Sequence, residues 1–373
     1  MKKENNLKVF RNIAREPYLY LRQLKEKSGK TMVGSTCTYT PEELVLAAGL
    51  HPFRIFAESQ GFSLADAHIQ AYGCSMVRGM LEDGLSGKLD FLDAVVFPHA
   101  CDSIQRLSDI WRLNVKSLHF DVLLPVKLDS ALSKSYFVKV IGRFKKDIEK
   151  AFSVAISDDA LRESIAVMNR IRNLLSELYN LRSESPEIIA GSDLAAVVKA
   201  IMVMDKTEAS NALQQLVDSL KKEKPVRSNK KRILILGSVC SHPDIYRIIE
   251  NKDAVVVWDD LCSGSRYFEG IIEEEDDLMA AVAHRFTERY VCPAKHLGIK
   301  FQMENLKKLI EVHKVDAVLF MLLKFCEPFS FDYPDIKNEL ETLGIRYIMV
   351  EMDQHNKIDE QMRTRIDTLL EII

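Results

Sequence analysis

The sequence has no G-x-x-x-x-G-K-[ST] stretch and no G-x-G-x-x-G after a strand-like run, so it carries neither a P-loop nor the dinucleotide fingerprint. Nucleotide chemistry, where it is involved, is expected to belong to another protein. No two cysteines stand in a C-x2-C pair, which leaves out a zinc ribbon and the bacterial ferredoxin pattern. Any metal centre must therefore be assembled from residues far apart in the chain. No window approaches the roughly eighteen consecutive apolar residues that a membrane span needs. A net charge of -3 with 28% charged residues provides no strongly basic field for tracking a phosphate backbone, so a nucleic-acid partner is not expected. Met1 to Arg22 bears lysine and glutamate without a continuous apolar core, unlike a secretory signal, and the expectation is a soluble cytoplasmic protein.

Four runs of aliphatic residues are each followed within a few positions by a cysteine and a polar helix start. They are Val95 to Phe97 with Cys101, Ile233 to Ile235 with Cys240, Val255 to Val257 with Cys262, and Val318 to Phe320 with Cys326. In open α/β sheets ligands sit outside the carboxyl ends of the strands. Cysteines gathered there can bind a soft metal centre, and the seven present are too widely spaced for a disulfide scaffold.

At 373 residues the chain is long enough for two α/β domains with full cores. Strands and helices alternate in both halves, which predicts two Rossmann-like (flavodoxin-like) parallel-sheet domains. The expected division is an N-terminal α/β domain over 1–132, a helical insertion and linker over 133–230, and a C-terminal α/β domain over 231–373. An opening helix is expected from Asn5 to Lys27, a strand from Thr31 to Tyr39, and a helix with Thr40, Pro41 and Glu43 forming a capping box. Further helices are expected from Ala65 toward Leu81, with Cys74 near the middle or at a break around Gly73, and from Pro243 to Glu250, Asp276 to Arg289 and Pro334 to Leu343. Lys221 to Arg232 reads as an exposed charged linker, a phosphate-binding basic groove being the functional alternative.

Taken singly, each cysteine is as well explained as a small buried hydrophobe. Their shared position after strands is what favours metal. Three thiolates from separate strand ends would hold an iron–sulfur core rigidly and leave one iron without a protein ligand, as open catalytic sites do.

Several segments together resemble the 2-hydroxyacyl-CoA dehydratase and benzoyl-CoA reductase subunit family. They are Tyr39-Thr40-Pro41-Glu42-Glu43-Leu44 with Ala47-Ala48-Gly49, Cys101-Asp102 with Leu107 and Trp111, Asp259-Asp260-Leu261-Cys262-Ser263-Gly264-Ser265-Arg266-Tyr267-Phe268, Cys292-Pro293-Ala294-Lys295-His296, Lys324-Phe325-Cys326-Glu327-Pro328 and Glu351-Met352-Asp353. The likeness runs in order from about residue 30 and is closest to the smaller subunit of the component D type. It implies one [4Fe-4S] cluster per chain on Cys74, Cys101 and Cys326, with Cys240, Cys262 and Cys292 outside the ligand set. It also implies a substrate-facing loop at Ser35, Cys37 and Thr38, where the Ser35 hydroxyl can bond a substrate oxygen; helix capping is the plainer role. Arg266 can meet a phosphate or carboxylate, or be taken by Asp259 and Asp260; His99 can relay a proton, or merely pack.

The function so implied is syn dehydration of an (R)-2-hydroxyacyl-CoA to the enoyl-CoA. The C3 proton is not activated by the thioester, and one low-potential electron solves this by making a ketyl radical that expels the 2-hydroxyl. The electron would come from an ATP-dependent [4Fe-4S] activator protein, and a paralogous subunit would complete a heterodimer. Three alternatives stand beside this reading: a double-cubane [8Fe-9S] protein using the extra cysteines, a benzoyl-CoA reductase subunit, and a metal-free two-domain α/β binding protein.

Overall fold

The computed structural model describes residues 2–226, 228–240, 244–273, 276–289, 292–295, 297–353 and 358–373. Among the described residues, eight strands form two four-stranded sheets, each parallel throughout. The first holds β1 (Met32–Ser35), β2 (His51–Arg54), β3 (Ala94–Pro98) and β4 (Leu118–Val122) in the order β2-β1-β3-β4. The second holds β5 (Lys231–Gly237), β6 (Ala254–Asp260), β7 (Ala317–Leu323) and β8 (Arg346–Met352) in the order β6-β5-β7-β8. Both are the doubly wound order in which the chain reverses direction beside its first strand, which opens a crevice at the strands' carboxyl ends. The expected α/β class with two flavodoxin-like sheets is what the chain adopts.

Period-two burial explains the layers. Ile233 and Ile235 of β5 and Ala317, Leu319, Met321 and Leu323 of β7 face one core, while Leu234, Leu236, Val318, Phe320 and Leu322 face another. The first of these cores also takes Val95 and Phe97 of β3, Phe10 and Leu21 of the N-terminal helices, and Leu175, Leu178, Val198 and Leu213 of the central helices. The central helices Ala131–Phe152, Asp158–Glu184, Gly191–Ile201 and Lys206–Leu220 thus bury faces against both halves of the molecule. Among the described residues no helix is long and apolar enough to cross a membrane.

Several expected boundaries move. The opening helix is two, Lys2–Arg15 and Pro17–Ser28, because Pro17 lacks the N–H an uninterrupted helix needs and starts the second one instead. The first strand stops at Ser35. The capping box does not form: the helix is Glu42–Ala47 with Pro41 at its N-cap and no side-chain cap bond, and the buried Thr40 hydroxyl has no partner. Glu43, fully buried, is bonded instead by Arg172 of helix Asp158–Glu184. The stretch from Ala65 is a short 3-10 turn, Ala65–Ala67, and then a helix Ser75–Leu85 that begins after the break at Gly73. The helix expected from Pro334 starts at Glu327 and carries Pro334 inside it. The start of the helix expected at Pro243 lies outside the described residues, as does His296. The charged linker is solvated, Lys221 pairing with Glu177 and Lys230 with Glu187, while Lys231 and Arg232 already belong to β5.

Candidate metal centre and its cleft

Cys101 and Cys326 occupy equivalent places in the two sheets. β3 ends at Pro98 and Cys101 comes three residues later; β7 ends at Leu323 and Cys326 comes three residues later. Both strands flank the point where their sheet reverses direction. Each cysteine is the N-cap of the helix that follows, Asp102–Asn114 and Glu327–Thr342, and Cys74 is the N-cap of helix Ser75–Leu85. Three helix N-termini therefore present their unpaired N–H groups and positive dipole ends at three thiols.

The electrostatics of the sulfurs agree with that geometry. Burial pushes all three thiols up, Cys326 to about 12, and the charge of Cys74 acts on both Cys101 and Cys326, while that of Cys326 acts on Cys101. Opposing the burial, first-turn N–H groups favour the thiolates: those of Met76 and Val77 at Cys74, Ile104 at Cys101 and Phe329 at Cys326. The Ser103 hydroxyl lies beside the Cys74 sulfur, and Ser238, whose buried hydroxyl makes no bond to nitrogen or oxygen, lies beside that of Cys326. An uncompensated thiolate would be costly here, whereas thiolates bound to a metal core would be favoured. Among the described residues no three Cys, His, Asp or Glu side chains are close enough to share a single metal ion. The three candidate donors are thiols alone, the donor type that iron–sulfur clusters take.

The residue before Cys326 carries backbone strain. Phe325 has a φ of +61° and a half-exposed side chain, a left-handed conformation that costs a non-glycine residue roughly 1–2 kcal/mol. It turns the chain from β7 into the helix and sets Cys326 at the N-cap.

Beside the thiols a cleft of about 590 Å³ opens, lined by Cys101 and Asp102 from the first half and by Lys295, Glu327 and Asp332 from the second. His99 stands on its wall, and its Nε2 lies 2.8 Å from Asp121 Oδ1 on the edge strand β4. Ser108 Oγ donates to the same carboxylate at 2.6 Å, and these bonds hold Asp121 below the usual carboxylate range against its partial burial. His99 is therefore oriented by a carboxylate, as acid–base histidines are, and not merely packed. Lys295 is only 4% exposed; burial pulls its ammonium down, the charge of Cys101 opposes this most strongly, and its hydrogen bond is a long one to Leu124 O at 3.5 Å.

The other sequence candidates separate. Cys37, Cys262 and Cys292 lie near one another at the seam between the sheets, and Cys37 and Cys262 also reach the first trio through their charge effects on Cys101 and Cys326. Cys240 stands apart, held through its backbone by Ser263 at 3.1 Å and lining a separate groove of about 380 Å³. Arg266 is taken internally: it pairs with buried Asp260 at 2.6 Å, donates to Gly237 O, and lies 3.7 Å from the Cys262 sulfur. Ser35 is buried at the end of β1 and is not among the residues lining the cleft. Thr38 receives a 3.4 Å bond from Arg289.

The Asp259 turn after β6 explains the Asp-Asp-Leu-Cys-Ser-Gly wording. Asp259 accepts hydrogen bonds from Tyr179, Tyr246 and the Ser265 N–H, and a Cβ on Gly264 would collide with its carboxylate. Only glycine fits. A register shift in β6 opposite Ile233 and Leu234 sets the phase in which Asp259 and Asp260 leave the strand.

Fold and seam together define the class: a doubly wound α/β protein with two parallel sheets whose thiols gather at strand carboxyl ends. A family model described as 2-hydroxyglutaryl-CoA dehydratase, D-component, matches residues 37–373, and the chain belongs to that family. It is 28% identical to the (R)-phenyllactyl-CoA dehydratase beta subunit of Clostridium sporogenes, over 98% of this chain and 97% of that protein. It is 27% identical to the beta subunit of the lactoyl-CoA dehydratase of Anaerotignum propionicum, over 98% of each. One of the benzoyl-CoA reductase subunits of Thauera aromatica is 26% identical over 94% of this chain and 93% of its own length.

Proposed function

We propose that the chain is the beta-type subunit of a cytoplasmic 2-hydroxyacyl-CoA dehydratase, with Cys74, Cys101 and Cys326 as the protein ligands of one [4Fe-4S] cluster. The observation that supports this reading is the placing of three thiols at three helix N-caps, two of them at equivalent positions of the two sheets, with Cys101 and the residue after Cys326, Glu327, lining one cleft. In this reading the enzyme is completed by a paralogous subunit, and a separate ATP-dependent activator protein delivers the electron. The reaction is syn elimination of water from an (R)-2-hydroxyacyl-CoA by way of a ketyl radical of the thioester. When bound, the cluster supplies one-electron chemistry at low potential.

The chain's own residues have definite tasks. The helix N-termini and the hydroxyls of Ser103 and Ser238 favour thiolates in a buried setting, which holds the ligand set ready. His99, fixed by Asp121, can hold or hand on a proton at the cleft wall. Apolar Leu123, Leu124, Val126 and Phe331 line the same cleft, all but Leu124 with exposed side chains.

Strictly anaerobic purification after co-expression with a paralogous subunit tests the reading. The expected outcome is about four irons per chain and dehydration of an (R)-2-hydroxyacyl-CoA that depends on activator and ATP. A complex with iron but no such activity would redirect the assignment to ring or small-molecule reduction. A second reading keeps the other thiols in play: the charges of Cys37 and Cys262 act on Cys292 and that of Cys37 on Cys262, and an [8Fe-9S] double cubane could recruit such thiols. That core would give about eight irons per chain.

A further inference from the structure

Lys295 is almost completely buried, yet its ammonium has a single hydrogen bond, 3.5 Å long, to a backbone carbonyl. It makes no ion pair with any described residue. It is also the only lysine or arginine among the described residues that line the 590 Å³ cleft, whose carboxylates Asp102, Glu327 and Asp332 add negative charge to the same space. A buried cation without an anion is expensive to keep, and the negative charge acting most strongly on this one would be that of Cys101. The chain thus holds a desolvated positive charge facing the place where the proposed thiolate-bound centre would add negative charge.

We propose that Lys295 is the counter-charge of that centre, a positioning residue that stabilises its more negative, reduced state and so raises its reduction potential. The inference rests on the cluster assignment to Cys74, Cys101 and Cys326. Charge and hydrogen bonding around the sulfurs set the potential of such centres, and a cation held in a low-dielectric wall acts more strongly than one in water. The backbone fixes the residue in place: Lys295 N donates to Cys292 O at 2.9 Å, closing a turn in the second half of the chain that sets the side chain in the wall of the cleft that Cys101 also lines.

The test uses the anaerobically purified complex with its partner, comparing native protein with Lys295→Met, Lys295→Gln and Lys295→Arg. Three quantities are read: iron and sulfide per chain, the midpoint potential from an electron-paramagnetic-resonance titration, and the melting temperature. In the two neutral variants the equilibrium constant for one-electron reduction should fall about tenfold, a shift of about 59 mV, and Lys295→Arg should restore it. Loss of iron in both neutral variants with retention in Lys295→Arg and no change in melting temperature would support the same role. An unchanged midpoint in Lys295→Met, or an arginine variant that behaves like the neutral ones, would overturn it. If native protein itself bound no iron, the cluster assignment would fall first, and with it this proposal.

Discussion

Replacing Lys206 by Met should destabilise the chain more than almost any other single change outside the thiol seam. Lys206 is fully buried at the start of helix Lys206–Leu220 and lies 3.5 Å from Glu42 of the N-terminal half. Its ammonium also donates to Ile201 O at 3.1 Å and to the Tyr267 hydroxyl at 3.3 Å, and that hydroxyl donates to Glu42 at 3.1 Å. One cation thus joins the first half, the central helices and the second half. Met conserves most of the volume, so little cavity opens, but Glu42 loses its ion pair and keeps the Tyr267 hydroxyl and the more distant charge of Arg285. Removing one partner of such a pair costs about 3–5 kcal/mol. Glu42→Gln alone should cost a similar amount, by stranding the lysine. The double variant strands neither charge, so it should be less damaged than the two single changes added together, with a coupling energy of about 2 kcal/mol. Urea unfolding followed by circular dichroism, on the four proteins of the cycle, measures it. A Lys206→Met variant within about 1 kcal/mol of native, or a double variant whose cost is the plain sum, would show that the buried pair is not coupled in this way.

Gly264→Ala should lose about 3 kcal/mol or more, because its new methyl group must displace the Asp259 carboxylate from Tyr179, Tyr246 and Ser265; a melting curve equal to native would contradict this. Stability should also fall on acidification. His51 and His313 are buried and held neutral, burial taking each from its ordinary 6.5 to about 4. The unfolded chain therefore binds more protons between those values, so the stabilisation is complete above about pH 6.5 and drains away toward pH 4, each histidine contributing up to about 1.4 kcal/mol per pH unit. His51→Gln should flatten the slope measured by urea unfolding across that range; an unchanged slope counts against it. Phe325→Gly should keep the cleft and gain at most about 1 kcal/mol, since relief of the left-handed strain is partly offset by glycine's freedom in the unfolded chain; a loss of stability on differential scanning calorimetry would speak against strain at that position.

The strands and the cysteines after them were legible because burial on both faces gives unbroken aliphatic runs such as Val318-Leu319-Phe320, which local sequence states directly. Helix starts were less so. Thr40 to Glu43 has the letters of a capping box, but tertiary packing takes Glu43 for Arg172, more than a hundred residues away. What sequence could not supply was any pairing between separate elements: Lys206 with Glu42, His99 with Asp121, Ser238 with Cys326. Such pairs follow from how strands and helices are set side by side, and no local period encodes that. A partial signal was available for Asp121, since His119 and Asp121 alternate on an edge strand where a solvated residue would carry no cost. For Cys74 the sequence left two places open, the middle of a helix or a break around Gly73, and the structure takes the second, with Cys74 at the N-cap of Ser75–Leu85.

Cys74, Cys101 and Cys326 are proposed above to hold one iron–sulfur core, and metal content tests this most directly. Iron and acid-labile sulfide should be measured per chain after anaerobic purification of two triple variants, Cys74→Ser/Cys101→Ser/Cys326→Ser and Cys240→Ser/Cys262→Ser/Cys292→Ser. The first should bind no cluster, while the second should keep native iron. Retention of iron by the first, or its loss from the second, would contradict it.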